Sequence, residues 1–206
     1  MKRIFALIFV SALLIAALPS CGAALDEDGV RAVAAPLIEA SFEINDIFFG
    51  DGLAHEGDAS FDNYVPDGND SSKYDVKPVQ YLVVTDDRFL SIDDLKEAAR
   101  AVYTDAYLAN VFKIAFEGMT QGDGTVYQYP RYVSNVIGTL SVRSDAAEEN
   151  DLKNRTYDLS TVKVTGGSKD LVYFTVQSYV DGEQDITVRL SLRDEGNGWR
   201  LDSPTY

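Results

Sequence analysis

The chain has 206 residues, with 33 acidic against 18 basic side chains and a net charge of −15. A surface of this sign repels nucleic acid and anionic lipid headgroups, so nucleic-acid binding and membrane attachment through basic patches are not expected. A single cysteine excludes a disulfide within the chain and a zinc site built from several cysteines.

The first 18 residues predict a secretory signal. Lys2 and Arg3 supply a positively charged start, and an apolar stretch at residues 4–18 follows at once. Its 15 residues fit the apolar core of a signal peptide and fall short of the roughly 20 that span a bilayer as a permanent helix. The stretch is therefore expected to be processed and to take no part in the fold.

The end of this stretch predicts a lipid anchor. The run Leu18-Pro19-Ser20-Cys21 has the lipobox pattern of a bacterial lipoprotein, in which the cysteine thiol receives a diacylglyceryl group before cleavage. We expect a lipoprotein signal peptide over residues 1–20 and acyl chains such as palmitate on Cys21. The alternative is an ordinary signal peptide that is cut after Ala24.

The anchor predicts where the mature protein lies and what it can bind. Two acyl chains hold a protein stably on a membrane, so we expect the chain on the outer face of the cytoplasmic membrane, in the cell envelope. Loss of the signal leaves 16 basic against 33 acidic side chains, a net charge of −17. This charge favours basic partners, cations or simple solubility. With Cys21 acylated, no thiol remains for cysteine catalysis.

We predict a lipidated tether over residues 21–28 and a single α+β domain over residues 29–206. Apolar residues at helical spacing indicate a first helix from Val30 to the region of Gly50. Pro36 either kinks this helix or marks the first position of a helix that begins there.

Residues 51–75 predict a long exposed loop. The apolar periodicity disappears there, and seven carboxylates stand against Lys73 alone. An irregular calcium site is one interpretation of this loop, and a solvated acidic loop is the other, because the twelve-residue calcium pattern is not matched. The candidate calcium ligands are Asp58, Asp62, Asp67 and Asp70.

A helical pair is predicted in the middle of the chain. A strand at residues 79–85 precedes Ser91 and Asp94, which have the spacing of a capping box at a helix start. A second helix is expected between Thr104 and Gly118, since its apolar residues again lie on one face.

Antiparallel sheet is predicted after Thr125, because alternating residues are joined by short glycine-containing turns. The fold class is therefore α+β, with the N-terminal helix and the central helical pair packed on a curved antiparallel sheet of about five or six strands. The expected strands lie near residues 126–129, 131–143, 156–165, 171–180, 184–193 and 199–202.

Catalytic motifs are weak in this sequence. His55 is the one histidine and lies in the polar loop, so we interpret it as a solvated surface residue. Ser160 and Lys163 match the Ser-x-x-Lys of penicillin-binding enzymes, but that motif requires a helix start and the flanking residues here alternate as in a strand. We interpret the match as chance, and we expect no catalytic residue, metal ligand or cofactor site.

The aromatic residues are interpreted mainly as core. Helical spacing assigns one group to the core: Phe48, Phe49, Phe112 and Phe116. Residues near strand ends either pack in the core or line a concave sheet face or an interaction surface. This second group comprises Tyr81, Phe89, Tyr127, Tyr129, Tyr132 and Trp199.

Three stretches carry a resemblance to known families. Residues 41–53 (SFEINDIFFGDGL) and residues 81–116, with TDDRF at 85–89 and VYT at 102–104, resemble clostridial-type lipoproteins related to the IseA family, which inhibit cell-wall D,L-endopeptidases. Residues 198–204 (GWRLDSP) are similar to the last strand of secreted domains with a ketosteroid-isomerase-like, cone-shaped sheet. The resemblance implies an inhibitor that docks through its surface, and it implies no catalytic residue.

Three functions follow as expectations. The first is a non-enzymatic, membrane-anchored lipoprotein that binds and inhibits a basic cell-wall hydrolase. The second is a pocket protein of the cone-fold type that holds a small apolar or aromatic ligand inside the sheet. The third is an acid–base enzyme, whose signature would be an inward carboxylate with a raised pKa beside a tyrosine hydroxyl. The oligomeric state is not predicted.

Overall fold

A computed structural model describes residues 25–57, 79–120, 122, 126–134, 138–150 and 152–206. Cys21, the predicted signal peptide and residues 58–78 of the chain, with the four candidate calcium ligands, lie outside the described residues. Within these ranges, no helix is both long and apolar enough to cross a bilayer.

The helices lie close to their predicted positions. The first helix is continuous and contains Pro36, so this proline neither starts nor ends it, and it begins within the expected tether. The third helix continues as a π-helical turn that ends just before Gly118, the residue where the sequence predicts the end of the helix. The helices are α1 (Glu27–Phe49), α2 (Ile92–Val102) and α3 (Asp105–Phe112), followed by the π-helical turn Lys113–Glu117 and a 3₁₀ turn, Ala146–Glu149.

Ten strands complete the described secondary structure. The longest three are consecutive in the chain and fall where the alternating pattern predicts them. The strands are β1 (His55–Glu56), β2 (Tyr81–Val84), β3 (Met119–Thr120), β4 (Val126–Gln128), β5 (Tyr132–Ser134), β6 (Leu140–Arg143), β7 (Arg155–Gly167), β8 (Leu171–Val180), β9 (Glu183–Asp194) and β10 (Trp199–Leu201).

The α+β class is confirmed, but the strands are distributed differently from the expected single sheet. They form two antiparallel four-stranded sheets, in the orders β1-β2-β6-β5 and β10-β9-β8-β7, and a separate pair, β3-β4. One reason is that the region expected as one strand, residues 131–143, contains two strands, β5 and β6, which pair with each other. Gly138, which precedes β6, has a φ of +84°. Glycine adopts this backbone conformation without strain.

The described chain divides into two compact units. The first, unit 1, contains residues 25–42, 102–104 and 153–206. The second, unit 2, contains residues 43–101 and 105–152, within the limits of the described ranges. The assignment of residues 29–206 to a single domain stays a prediction.

Unit 1 is built on a meander of neighbouring strands. The tight β8–β9 turn has Asp181 at a φ of +52° and Gly182 at +82°, which are the positive values that favoured two-residue hairpin turns require. Alternate residues of β8 are buried, and the apolar stripe of the first half of α1 is buried as well. The apolar core of the unit comprises Val30, Val33, Ala34, Leu37, Ile38, Val102, Tyr103, Val162, Val172, Phe174, Val176, Leu190, Leu192 and Leu201.

In unit 2, two neighbouring side chains hold the C-terminal end of α1. The Tyr132 hydroxyl donates to the Ile47 carbonyl at 2.8 Å and accepts from the Leu53 amide at 3.2 Å. The Arg131 guanidinium donates to the carbonyl of Gly50 and, at 3.1 Å, to that of Ala146. Carbonyls at a helix end lack partners within the helix, so these donors satisfy groups that would otherwise be buried without one.

The start of α2 has the capping box that the sequence predicts. The Ser91 hydroxyl accepts from the Asp94 amide at 3.2 Å, and the Asp94 carboxylate accepts from the Ser91 amide at 2.9 Å. Both free amides are thereby satisfied, which fixes where the helix begins.

Candidate recognition surfaces

A buried cluster of hydroxyl groups ties the C-terminal tail into unit 1. The Thr205 hydroxyl lies 2.7 Å from that of Ser41 and 2.9 Å from that of Tyr103, and the Tyr157 hydroxyl donates to the Thr205 carbonyl at 2.9 Å. Ser41, Tyr103 and Thr205 are each at most 1% exposed. This concentration of polar groups in the interior makes the cluster a candidate for acid–base chemistry.

Burial raises the pKa of Tyr157 to about 12, and nearby Arg155 partly opposes this shift. The phenol is therefore neutral in the folded state at physiological pH. Because the folded pKa lies above the unfolded value of about 10, its contribution to stability is complete below pH 10 and is lost as pH rises from 10 to 12. We expect the melting temperature of the native protein to fall more steeply over this range than that of Tyr157→Phe.

This difference is measured as melting temperature against pH from 8 to 12 for the two proteins. Other tyrosines titrate in both, so the difference between the two curves isolates Tyr157. At pH 8 the variant should be less stable by about 1 kcal/mol, because it lacks the hydrogen bond to Thr205. Parallel curves above pH 10 would contradict a buried, neutral phenol.

The hydroxyl cluster does not have the features of an acid–base site. The Tyr157 and Tyr103 hydroxyls both bond to Thr205, which is not ionisable in this range. Two carboxylates outside the cluster have shifted pKa values. The pKa values of Asp86 and Asp170 are lowered, because the Arg88 and Ser168 side chains donate hydrogen bonds to them. A general acid requires a shift in the opposite direction. The hydrogen bonds of the cluster therefore have a structural role, which is to hold the C-terminal tail in place.

The inner face of the unit 1 sheet is filled by its own side chains. Val172, Phe174 and Val176 alternate along β8 and are 0–1% exposed, and Leu190 and Leu192 continue the face on β9. A side chain without accessible surface does not line a cavity that water can enter. These positions therefore form core rather than the wall of a ligand pocket.

The outer face of the same sheet is open and polar. We define the open face by six residues on β7, β8 and β9 that point away from the buried positions and are exposed or half-buried. Its members are Lys163, Tyr173, Thr175, Gln177, Thr187 and Arg189. Sequence reasoning assigned these strands correctly but did not single out these residues, although their alternation with Val172, Phe174 and Val176 is the signal that marks them as one face.

Unit 2 carries an excess of carboxylates. Its described residues contain 14 acidic and six basic side chains, a difference of −8. Several of the cations are already engaged: Arg88 binds Glu43 and Asp86, and Arg143 binds Asp145 and Glu149. Most of the remaining acidic charge therefore faces water without a cation to offset it.

Helix α2 carries its basic side chains over aromatic rings and two of its acidic side chains exposed to water. Lys96 lies over the Phe116 ring and Arg100 over the Phe112 ring, at 5.3 and 5.5 Å from the ring centroids. Asp93 and Glu97, one turn apart, are exposed. Like charges at this spacing destabilise a helix by about 0.2–0.5 kcal/mol, so folding alone does not favour the pair. We call Asp93 and Glu97 the acidic pair.

The motif residues predicted from the sequence each belong to a strand of their own unit, His55 in unit 2 and Ser160 and Lys163 in unit 1. His55 is exposed on β1, and its ring Nδ1 lies 2.9 Å from the Leu53 carbonyl oxygen. Ser160 and Lys163 lie within strand β7, as the alternating flanks predict, and the Ser160 hydroxyl donates to Asp158 at 2.6 Å. A strand does not present the serine and lysine as a helix start would, so the penicillin-binding arrangement is not formed.

The aromatic residues near strand ends divide between buried and half-buried positions. Tyr81, Phe89 and Tyr132 are buried, whereas Trp199 and Tyr129 are half-buried. The Tyr127 side chain is outside the described residues.

The phenylalanines assigned by helical spacing form a ring cluster in unit 2. Phe48 packs its ring edge against Phe116 at 5.9 Å and contacts Phe112 at 6.1 Å. Phe48 is buried, which confirms its core assignment, whereas Phe112 and Phe116 are half-buried at the edge of the core. Phe49 is half-buried at the end of α1.

Metal binding gains no support from the part of the chain that the structure describes, where no group of three or more potential ligands converges. The predicted lipidation site, Cys21, also stays a prediction because it lies outside those residues. No protein-family model matches this sequence, and no curated protein matches it either.

Proposed function

We propose that this protein is an extracytoplasmic lipoprotein, anchored through Cys21 to the outer face of the cytoplasmic membrane, that binds and inhibits a basic cell-wall hydrolase. It catalyses no reaction itself. The observation that carries the proposal is the uncompensated acidic charge of unit 2, with the acidic pair on an exposed helix face. Complementary charge accelerates association with a basic partner and selects against acidic ones.

Two further observations support binding over the rival functions. The filled inner face of the sheet gives a small apolar ligand no space beside Phe174 and Val176. The Tyr103 and Tyr157 hydroxyls of unit 1 bond to Thr205, whose hydroxyl and backbone carbonyl do not ionise at physiological pH and so cannot serve as a general acid or base. The proposal therefore places function on the exterior of the protein.

The anchor is tested by replacing Cys21 with alanine. We expect the native protein to fractionate with membranes and to incorporate labelled palmitate, because acyl chains on the thiol supply about 0.8 kcal/mol per buried methylene. The variant should lack the label and leave the membrane fraction. Recovery of unlabelled native protein in a soluble fraction would contradict lipidation without bearing on hydrolase binding.

Partner binding is tested with immobilised residues 22–206 and an extract of cell-wall proteins. A basic hydrolase should be retained at low ionic strength and released as salt shortens the Debye length from about 30 Å at 0.01 M to about 3 Å at 1 M. Identification of the retained protein by its mass and by its peptidoglycan-degrading activity completes the assay.

A matched pair of variants assigns the surface. Asp93→Asn with Glu97→Gln should weaken retention several-fold, whereas Glu39→Gln with Glu183→Gln, two exposed acids of unit 1, should leave it nearly unchanged. Both doubles change the net charge by the same amount. Equal weakening by the two would show that only total charge matters and would contradict docking through unit 2.

A further inference from the structure

A row of polar side chains crosses the open face of the unit 1 sheet. Strand pairing aligns Lys163 of β7 with Thr175 of β8, and Thr175 with Arg189 of β9. The two cations therefore flank a hydroxyl, with their Cα atoms about 10 Å apart, which is two strand spacings. Lys163 and Arg189 are both exposed.

The guanidinium of this row is held in place by an aromatic ring. Arg189 lies over the Tyr173 ring, with its Cζ atom 4.5 Å from the ring centroid. Arg189 is exposed as well, so its N–H groups are accessible to a ligand in water. Because the group is already ordered, less side-chain entropy is lost when it binds an oxyanion.

The row has no carboxylate to neutralise it, although acidic residues outnumber basic ones in this chain. Among the described residues, neither Lys163 nor Arg189 forms an ion pair. The nearest acids along these strands are already engaged: Asp185 binds Arg155, Asp158 accepts from Ser160, and Asp202 binds Arg193. The cations of the open face are therefore available to a ligand.

The charge of the surrounding chain makes this row distinctive. Residues 153–206 contain seven basic and eight acidic side chains, a difference of −1. Residues 21–152 contain nine basic and 25 acidic side chains, a difference of −16. An anionic ligand is therefore repelled by most of the sequence and is accepted best by the C-terminal strands, where the two cations lie on one face of the sheet.

We propose that the open face binds a flexible linear polymer of phosphate groups. The binding free energy of a single anion on two exposed cations is small, since exposed ion pairs are worth about 0.2–1 kcal/mol each. A chain of closely spaced phosphates gains more, because each contact releases condensed counterions and successive contacts are made by one molecule. Arg189 donates to phosphate oxygens through its N–H fork, Lys163 binds as a point charge, and Thr175 donates a neutral hydrogen bond between them.

The proposal is independent of hydrolase binding, because it concerns a different surface with the opposite charge. It is tested with inorganic polyphosphate as the probe and residues 22–206 as the protein, by titration calorimetry at several salt concentrations. We expect saturable binding that weakens with salt. Lys163→Gln with Arg189→Gln should weaken it at least tenfold and reduce the slope of log K against log salt by about 1.4, for two lost contacts with a single strand.

The control double is Lys153→Gln with Lys169→Gln, which removes two exposed lysines of unit 1 that lie outside the open face. Its affinity for polyphosphate should be within about twofold of that of the native protein. The native protein and the two double variants should have matching circular dichroism spectra and melting temperatures. Equal weakening by both doubles would overturn the assignment to the open face.

The nature of the partner is tested with three further probes. Orthophosphate should bind far more weakly than polyphosphate, since it lacks the multiple contacts. Polyglutamate and duplex DNA should bind at least tenfold more weakly, because the first has a lower density of charge and the second is too stiff to follow the row of polar side chains. Binding of any of the three with an affinity equal to that of polyphosphate would overturn the proposal of a flexible phosphate polymer.

Discussion

Replacing Phe174 with alanine is expected to lower the free energy of unfolding by about 3–5 kcal/mol. Phe174 is 0% exposed at the centre of β8, and strand pairing places it between Val164 and Leu190. Loss of the ring removes its transfer free energy from the core and leaves a cavity that the surrounding strands fill only in part. The measurement is urea denaturation followed by circular dichroism.

The neighbouring residue supplies the control for this prediction. Tyr173 lies on the open face and is half-buried, so Tyr173→Ala should cost about 1 kcal/mol or less. The two substitutions remove aromatic rings from adjacent positions of one strand and differ only in the face affected. Similar losses from both would contradict a sheet with one closed and one open face, and with it the choice of the open face as a binding surface.

Replacing Arg131 with methionine is expected to destabilise the protein by about 2–4 kcal/mol. Arg131 is 6% exposed, and its guanidinium satisfies the carbonyls of Gly50 and Ala146 in unit 2. Methionine fills a similar volume but donates no hydrogen bond, so each carbonyl loses a partner at a cost of about 1–3 kcal/mol. Methionine carries no charge, so the variant avoids the cost of removing a cation from water, and this offsets part of the loss.

The effect is measured by thermal and urea unfolding of Arg131→Met. The control is Lys113→Met, which also replaces one positive charge with methionine. Lys113 is exposed on the π-helical turn, so its substitution should change the free energy of unfolding by no more than about 0.5 kcal/mol. A variant at Arg131 as stable as the native protein would show that water reaches the end of α1 and that the guanidinium is not required there.

The local structure of this chain was largely predictable from the sequence. The alternation of Leu171 to Val180 marks β8 with its observed bounds, and the Ser91 and Asp94 spacing marks the start of α2. Both signals act through neighbouring residues, since pleating and capping are local effects. Glycine-containing turns likewise predicted the β8–β9 hairpin.

Long-range pairing was not predictable in the same way. The division into two sheets depends on which strands meet, and residues 131–143 were expected as one strand because Gly138 by itself is only a weak local signal for a break. The role of Arg131 was missed for a related reason. Its partners lie 81 and 15 residues away, and a buried arginine has no periodicity that distinguishes it from an exposed one.

The candidate surfaces were predictable only in part. Net acidic charge is a property of composition, and the composition alone favours a basic partner. The acidic pair and the open face require knowledge of which side chains are exposed together. Lys163 and Arg189 are 26 residues apart in sequence, and strand pairing through Thr175 is what brings them into one row.

Inhibition of a wall hydrolase is measured most directly as the rate of peptidoglycan lysis by a cell-wall hydrolase extract with added residues 22–206. At low ionic strength the protein should slow lysis in proportion to its concentration, and the effect should fade as salt is raised. The double Asp93→Asn with Glu97→Gln should inhibit less than the native protein. An unchanged rate of lysis at low salt and saturating protein would contradict inhibition by this chain.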